Sequence, residues 1–336
     1  MRHLPKTVFT SRWFERKCVR ARRALPALDN AYVRFNLPGF TPTADEAAPA
    51  SKALAALKQA GHAGYREGAA PRILWMYWNT PADEAPEVVR LAIASWQALN
   101  PEYEVRVLTD DTMVETLGVD LFSVFTLSRI KLTLAMKTDV LRLYLLSVYG
   151  GVWVDATVFC LQPLEKWLPE ARAPLDLFTF RHPTERSRPV EAWFIAASPG
   201  HPVVKSTLAL FVDHLFAPRT AALFVSNNRK DLKKLGVHSN HPERLYADTI
   251  TAAEGYGFMP YFSVGYFFNE SMRRHWHAHE IEAFLALPNR HLSHTKTEGL
   301  EQAVVSKETY KKTHQQSEAY AIKKAHLQSL LNTPAR

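Results

Sequence analysis

The residues whose types and spacing could do chemistry lie between Lys137 and Thr157, in the run KTDVLRLYLLSVYGGVWVDAT. Asp139 and Arg142 stand three apart in a stretch that is otherwise almost wholly apolar. On a helix, Lys131, Thr138, Asp139 and Arg142 would share one stripe, because their spacings are three, four or seven. A helix apolar on nearly every side is a buried one. A carboxylate and a guanidinium on such a helix must pair with each other or face a polar cavity. An internal Asp139–Arg142 pair, taken alone, needs no ligand to explain it. The next run, VWVDATVF, adds a second feature. Its period of two sets Val152, Val154, Ala156 and Val158 on one face and Trp153, Asp155, Thr157 and Phe159 on the other. Asp155 and Thr157 then project side by side near the far end of a core strand, just after the Gly150-Gly151 turn. Ligands of open α/β sheets bind outside the carboxyl ends of the strands. An oxygen pair on alternate residues also suits a hard divalent cation that holds diphosphate oxygens. A single solvated aspartate at a strand end is the alternative for Asp155.

These residues need a helix and a strand to hold them. A helix is expected from Ser128, as its N-cap, to about Tyr149, ended by Gly150-Gly151. The strand from Val152 to Phe159 follows directly. Upstream, Ile73 to Trp78 is short, aromatic and β-branched, a buried strand. Pro86 opens a helix with Val89, Ile93 and Trp96 at helical spacing, stopped at Asn100-Pro101. Glu104 to Thr109 is the next strand, so strand, helix and strand form a parallel βαβ unit. Further strands are expected at Asp176 to Phe180 and Ala192 to Ala197. Helices are expected around Pro202 to Phe216, Glu243 to Glu254 and Ile281 to Leu287, and over an amphipathic, partly basic final 30 residues. Residues 38–71, rich in Ala, Gly and Pro, read as a linker or cover with a helical stretch at Ser51 to Gln59. The fold class is α/β, with a mainly parallel sheet and added helices.

Composition narrows the setting. Hydrophobic residues are 47% and charged residues 22% of the 336, an ordinary globular balance. Two cysteines, Cys18 and Cys160, make no disulfide framework and suit a reducing compartment. MRHLPKTVFTSRWF has no signal-peptide core, and Arg142 and Asp155 interrupt the most apolar region. The expectation is a cytoplasmic protein, or one peripheral to the inner face of the cytoplasmic membrane. The first 23 residues hold Arg2, Lys6, Arg12, Arg16, Lys17, Arg20, Arg22 and Arg23 against Glu15 alone, a net +7 of the chain's +8. With Trp13 and Phe14 as anchors, that segment could rest on an anionic lipid surface, or be a solvated helix. Nothing in the body suggests a base-reading module, so nucleic acid is not an expected partner.

The motifs together resemble a known family. Helix-borne D-x-x-R followed by GG-x-x-x-D-x-D is similar to the signature of the sugar-binding DXD glycosyltransferases, glycosyltransferase family 32. GGVWVDAT resembles most the bacterial capsular polysaccharide synthesis proteins within that group. PRILWMYWNT (Pro71 to Thr80) and ASWQALNPEYEVRVLTDD (Ala94 to Asp111) resemble its upstream motifs. The resemblance covers Pro71 to Leu168, extends weakly over Trp193 to Pro202, and does not reach the first 70 residues.

It implies a GT-A-like, Rossmann-type nucleotide-sugar-binding domain over 71–300. A basic helical segment and linker would precede it over 1–70, and a C-terminal helix would follow over 301–336. It further implies a transferase that moves a sugar, with retention, from a nucleoside diphosphate donor to a glycan or lipid-linked oligosaccharide acceptor in surface polysaccharide synthesis. Uridine diphosphate is the default donor nucleotide. A non-catalytic sugar-nucleotide-binding or scaffold protein is the alternative. Asp155, Arg142 and Asp139 are the implied catalytic residues. Trp78 would stack on the base, with Asp139, Arg142, Gly151 and Asp155 at the donor. Asp155 and Thr157 would hold Mn2+ or Mg2+. The family's second DXD acid is Thr157 here, a weaker ligand, so metal binding would rest mostly on Asp155 and the donor's phosphates. His294 and Lys296, in HLSHTKT with His291, lie where the capsular branch carries a late diphosphate-closing motif. His291 also reads as an ordinary surface residue. Trp193 and Glu191 could face an acceptor, although such a Trp is more often core. Asp110-Asp111 reads as a helix N-terminus, and His275, His277 and His279 as a polar loop.

Overall fold

The computed structural model describes residues 42–182, 184–219, 222–226, 246–255 and 258–332. Helix α1 (Ala44–Ala60) starts at Thr43, which forms a capping box with Glu46. It buries Ala53, Leu57 and Ala60 in the main core, so this part of the presumed linker is a cover. Strand β1 (Ile73–Tyr77), helix α2 (Glu87–Leu99) and strand β2 (Glu104–Leu108) form the expected parallel unit, with Ile73 opposite Glu104 and Tyr77 opposite Leu108. Helix α3 (Asp110–Leu117) is capped by Thr109, and Asp110-Asp111 form its acidic first turn. After a 3-10 turn (Leu121–Leu127) come β3 (Ile130–Lys131), α4 (Leu134–Val148), β4 (Gly151–Val154) and β5 (Val158–Cys160). Helix α5 (Leu168–Arg172), β6 (Leu177–Arg181), β7 (Val190–Ala197) and α6 (Pro202–Leu215) follow. The remainder comprises β8 (Leu223–Ser226), α7 (Tyr246–Gly255), β9 (Phe258–Pro260), α8 (Ser263–His275), α9 (Ala278–Ala286), β10 (His291–Leu292), β11 (Val305–Lys307), α10 (Lys312–Gln315) and α11 (Glu318–Asn332).

The architecture is the expected α/β one. The central sheet has the order β2-β1-β4-β7-β6. Its half β2-β1-β4 is parallel, while β7 runs antiparallel to both β4 and β6. The short β6–β7 connection explains that reversal, because a parallel return needs a longer crossover. Alternation along the strands sorts the core into two layers. Trp75, Tyr77 and Trp153 face α4, α6 and α8, while Leu74, Met76, Val152 and Val154 face α2. The two layers clamp the sheet, and so fix where its strand ends point.

Three expectations about elements needed correction. The helix predicted from Ser128 begins at Leu134, capped by Thr133, whose hydroxyl accepts the Met136 N–H at 3.4 Å. Ile130 and Lys131 instead pair with Leu223 and Phe224 of β8, so Lys131 is not on the Asp139–Arg142 stripe. The strand predicted from Val152 to Phe159 is two. It turns at Asp155–Thr157, where the Val158 N–H bonds the Asp155 carbonyl at 3.0 Å, and β5 then joins another sheet. The segment 301–336, predicted as a helix, supplies β11 to that sheet before its helices, with Lys307 opposite Val158. Among the described residues no helix is long and apolar enough to cross a membrane. Cys160 is buried; Cys18 and the basic stretch 1–23 lie outside the described residues.

Candidate functional site

At the carboxyl ends of the parallel neighbours β1 and β4 a cleft of about 520 Å³ opens, the position at which open α/β sheets receive ligands. Trp78 stands just beyond β1, Thr138 and Arg142 rise from α4, and Asp155 follows β4. Lys307 and Tyr310 enter from the end of β11 and the loop after it.

Arg142 is the hub. One terminal nitrogen lies 3.2 Å from Asp139 Oδ1 and 3.1 Å from Asp155 Oδ1. The other donates to the Ala192 carbonyl, Nε reaches the Thr138 carbonyl at 3.4 Å, and the guanidinium lies over the Trp153 ring. Helix α4 can carry this charge because its other faces are packed: Met136 and the run Val140 to Ser147 are buried almost without a gap. Burial pushes the Asp139 carboxyl up to about 7 despite Arg142, with the Asp155 charge adding to the rise. Burial would raise Asp155 too, but Lys307 and Arg142 outweigh it and hold this carboxyl below its ordinary value. Two carboxylates on one guanidinium are thus driven apart in proton affinity.

Lys307 completes the cluster. Its Nζ lies 2.8 Å from Asp155 Oδ2 and 3.0 Å from Thr157 Oγ1. The Trp153 indole N–H donates to Asp155 Oδ1 at 3.1 Å, so both oxygens of Asp155 are engaged. Behind Lys307, Glu308 is fully buried and bonded to Lys323 at 3.0 Å, His314 at 2.6 Å and the Ser306 hydroxyl at 2.5 Å. Tyr310, largely exposed, meets Trp78 edge to face with ring centroids 5.6 Å apart. Tyr261 also lines the cleft.

The cleft therefore gathers Trp78, Arg142, Asp155, Thr157 and His294, with Asp139 reached through Arg142. His294 is exposed at the rim, its ring edge-on to His314. Lys296 is exposed and does not line the cleft. Gly151 does not line it either. It opens β4, about 13 Å along the strand from Asp155, and borders a separate cavity of about 420 Å³ with Arg72 and Arg172. There its φ of +94° and the Ile73 carbonyl, 2.4 Å from where a Cβ would sit, leave room for glycine alone. Trp193 is core, stacked on Phe180 at 5.0 Å, and burial lowers His291 beside it to about 4. His277 begins α9 and stacks on His279; among the described residues no group of three or more His, Cys, Asp or Glu is placed to hold a metal. Lys307, Tyr310 and Tyr261 escaped the sequence reading. A three-residue strand ending in Lys307 has too little periodicity to stand out from a basic tail.

Residues 55–222, half of the chain, match the family of capsular polysaccharide synthesis proteins. The chain belongs to that family. The match begins inside α1, upstream of the resemblance seen in the motifs. Among curated proteins, HOC1 of Saccharomyces cerevisiae, a glycosyltransferase by name, is 25% identical over 195 residues, 54% of this chain and 48% of that protein. The initiation-specific alpha-1,6-mannosyltransferase of Schizosaccharomyces pombe is 26% identical over 152 residues, 40% of this chain and 37% of its own length. The chain thus spans less than half the length of these relatives. The solved structure of the PaToxG glycosyltransferase aligns over 86% of this chain and 98% of its own, at 13% identity and a TM-score of 0.33, a likeness too slight to bear on activity.

The divalent cation implied by the resemblance can be tested against this family member's own donor set. A hard dication takes several oxygens, preferably anionic. Here the positions of the acid pair offer one carboxylate and one hydroxyl, and the Lys307 ammonium already contacts both. A dication about 4 Å from that ammonium would be repelled by roughly 8 kcal/mol at an effective dielectric of 20. The residues present do not fit Mn2+ or Mg2+.

Proposed function

We propose that this capsular polysaccharide synthesis protein is a glycosyltransferase that moves a sugar from a nucleoside diphosphate donor to a glycan or lipid-linked oligosaccharide in surface polysaccharide synthesis. The observation that carries this reading is Arg142 joining Asp139 of α4 to Asp155 after β4 on the wall of a cleft that also holds Trp78. In the transfer, the bond from the sugar's anomeric carbon to the diphosphate oxygen breaks and a bond to an acceptor hydroxyl oxygen forms. The acceptor proton leaves and the diphosphate departs with the extra charge. Arg142 and Lys307 supply positive charge where that diphosphate would leave. Trp78 and Tyr310 offer aromatic surface to the base, and Asp155 offers an acceptor to sugar or ribose hydroxyls. The donor is a uridine diphosphate sugar with the anomeric configuration retained. The GT-A-like domain is 71–300 together with β11.

The test is release of nucleoside diphosphate from a panel of uridine-linked and mannosyl donors, the latter because relatives bear mannosyltransferase names. Asp155→Asn is expected to lower turnover by about 100-fold or more. Undiminished turnover rejects the role given to Asp155. Thr157 in place of a second acid favours one other reading, a donor-binding scaffold without chemistry. Calorimetric donor binding with no release on any acceptor supports it.

A further inference from the structure

Where the two acids of a metal-binding pair would stand, this chain has Asp155 and Thr157, and a side chain from a remote part of the sequence already bridges them. Lys307 Nζ touches Asp155 Oδ2 at 2.8 Å and Thr157 Oγ1 at 3.0 Å. We propose that the Lys307 ammonium is this site's built-in cation. It takes the place of a divalent metal, so that Lys307 and Arg142 together bind the donor's diphosphate without Mn2+ or Mg2+. The inference rests on the nucleotide-donor reading and deepens it.

Four features of the chain support this. An ammonium has three N–H donors; Asp155 and Thr157 take two, and the third remains for a phosphate oxygen in the cleft that Lys307 lines. The substitution in the acid pair also makes chemical sense. A second carboxylate at 157 would suit a dication, whereas a threonine hydroxyl accepts one hydrogen bond from a lysine and adds no charge. Lys307 is held in place as well. It ends β11, whose ladder to β5 sets Lys307 opposite Val158, and the Glu308 N–H bonds the Thr157 carbonyl at 2.8 Å. The neighbouring buried carboxylate, Glu308, is satisfied by Lys323, His314 and Ser306, so it does not compete for Lys307. Arg142 lies on the other oxygen of Asp155, 3.1 Å away. One carboxylate therefore orients two cations, and both line the cleft.

The experiment uses the full-length protein with UDP and GDP as probes. Calorimetry measures nucleotide affinity with EDTA and with added Mn2+, and electron paramagnetic resonance follows free Mn2+. The wild type is expected to bind its preferred diphosphate with affinities in EDTA and in Mn2+ that agree within about twofold, and to leave the Mn2+ signal undiminished. Lys307→Met should weaken diphosphate binding by about 30-fold or more while changing uridine or guanosine binding little, since a nucleoside offers nothing for the ammonium to grip. Lys307→Arg should recover part of the loss, which a merely misfolded site would not do. The double variant Thr157→Asp with Lys307→Ala should regain affinity only when Mn2+ is present. Wild-type binding that collapses in EDTA, stoichiometric uptake of Mn2+ by the wild type, or unchanged affinity in Lys307→Met each overturns the proposal while leaving the donor reading standing. No binding of either diphosphate under any condition rejects the donor reading, and this proposal falls with it.

Discussion

Asp139 and Asp155 share one guanidinium yet titrate in opposite directions, and their difference predicts a pH profile. Burial lifts Asp139 from its ordinary 3.8 to about 7. The folded chain therefore holds that proton where the unfolded chain has lost it. Across this window the folded state binds more protons, so the contribution of Asp139 to stability falls as pH rises from about 4 to about 7. A shift of this size corresponds to a decline on the order of 4 kcal/mol. Asp155 works the other way. Its folded value is lowered, so its stabilisation is present at neutral pH and is lost only in acid, as pH drops through that lower value. Asp139→Asn should accordingly flatten the dependence of stability on pH between about 4 and 7, leaving the acid limb in place. Urea unfolding across that range reads both, and an unaltered slope in Asp139→Asn would contradict the assignment. The residue-level reading of the helix stripe thus holds for Thr138, Asp139 and Arg142. The sequence could not reveal that the acid nearer the cleft entrance is the charged one, because burial and the approach of Lys307 are both products of tertiary structure.

At the scale of elements, the cleft depends on β11 and α11, which are 150 residues or more from Asp155 in sequence. Lys323 on α11 has no exposed side-chain surface and bonds Glu308 Oε1 at 3.0 Å and the Ser293 carbonyl at 2.7 Å. Glu308 immediately follows β11 and thereby Lys307. Removing one member of a buried pair leaves the other charge without compensation, at a cost of about 3–5 kcal/mol. Lys323→Met should therefore destabilise the protein by about that much. Adding Glu308→Gln to it should recover part of the loss, so that the two changes are non-additive by more than about 1 kcal/mol. Denaturant unfolding of the two single variants and the double variant measures the coupling, and strict additivity would show that the pair does not act as a unit. This network was illegible for a definite reason. Short strands such as β11, β5 and β3 are stabilised by partners far along the chain, so two or three residues carry no periodicity of their own. By contrast β1, an unbroken aromatic and β-branched run, and α2 and β2, whose apolar residues recur at a fixed spacing, are legible to within a few residues of their observed ends. The same limit explains the run from Val152 to Phe159. Its alternation continues through Asp155 and Thr157, but the turn that divides it is closed by a backbone bond invisible in side-chain pattern.

For the molecule as a whole, charge is divided as sharply as structure. Residues 1–23 carry a net +7, which leaves the other 313 residues at about +1. A body so nearly neutral gives little long-range attraction to an anionic surface, since exposed charges further apart than about 10 Å are screened at ordinary salt. A cluster of eight basic residues next to Trp13 and Phe14 is different. Each Lys or Arg near an anionic leaflet contributes about 1 kcal/mol, and the aromatic pair can enter the interface. If that segment serves as a surface contact, the full-length protein should cosediment with vesicles containing phosphatidylserine and be released as salt rises toward about 1 M, where the Debye length falls to about 3 Å. Replacing all eight basic residues by Gln in the full-length chain should abolish the cosedimentation, with nucleotide affinity unchanged, because among the described residues the cations that line the cleft are Arg142 and Lys307. Two results would count against the contact: binding that persists in the Gln variant, or binding indifferent to both salt and the anionic lipid. Loss of nucleotide affinity in the same variant would instead tie the basic segment to the cleft. The two readouts together separate a protein that works at a lipid-borne acceptor from one whose basic segment has no part in placing it.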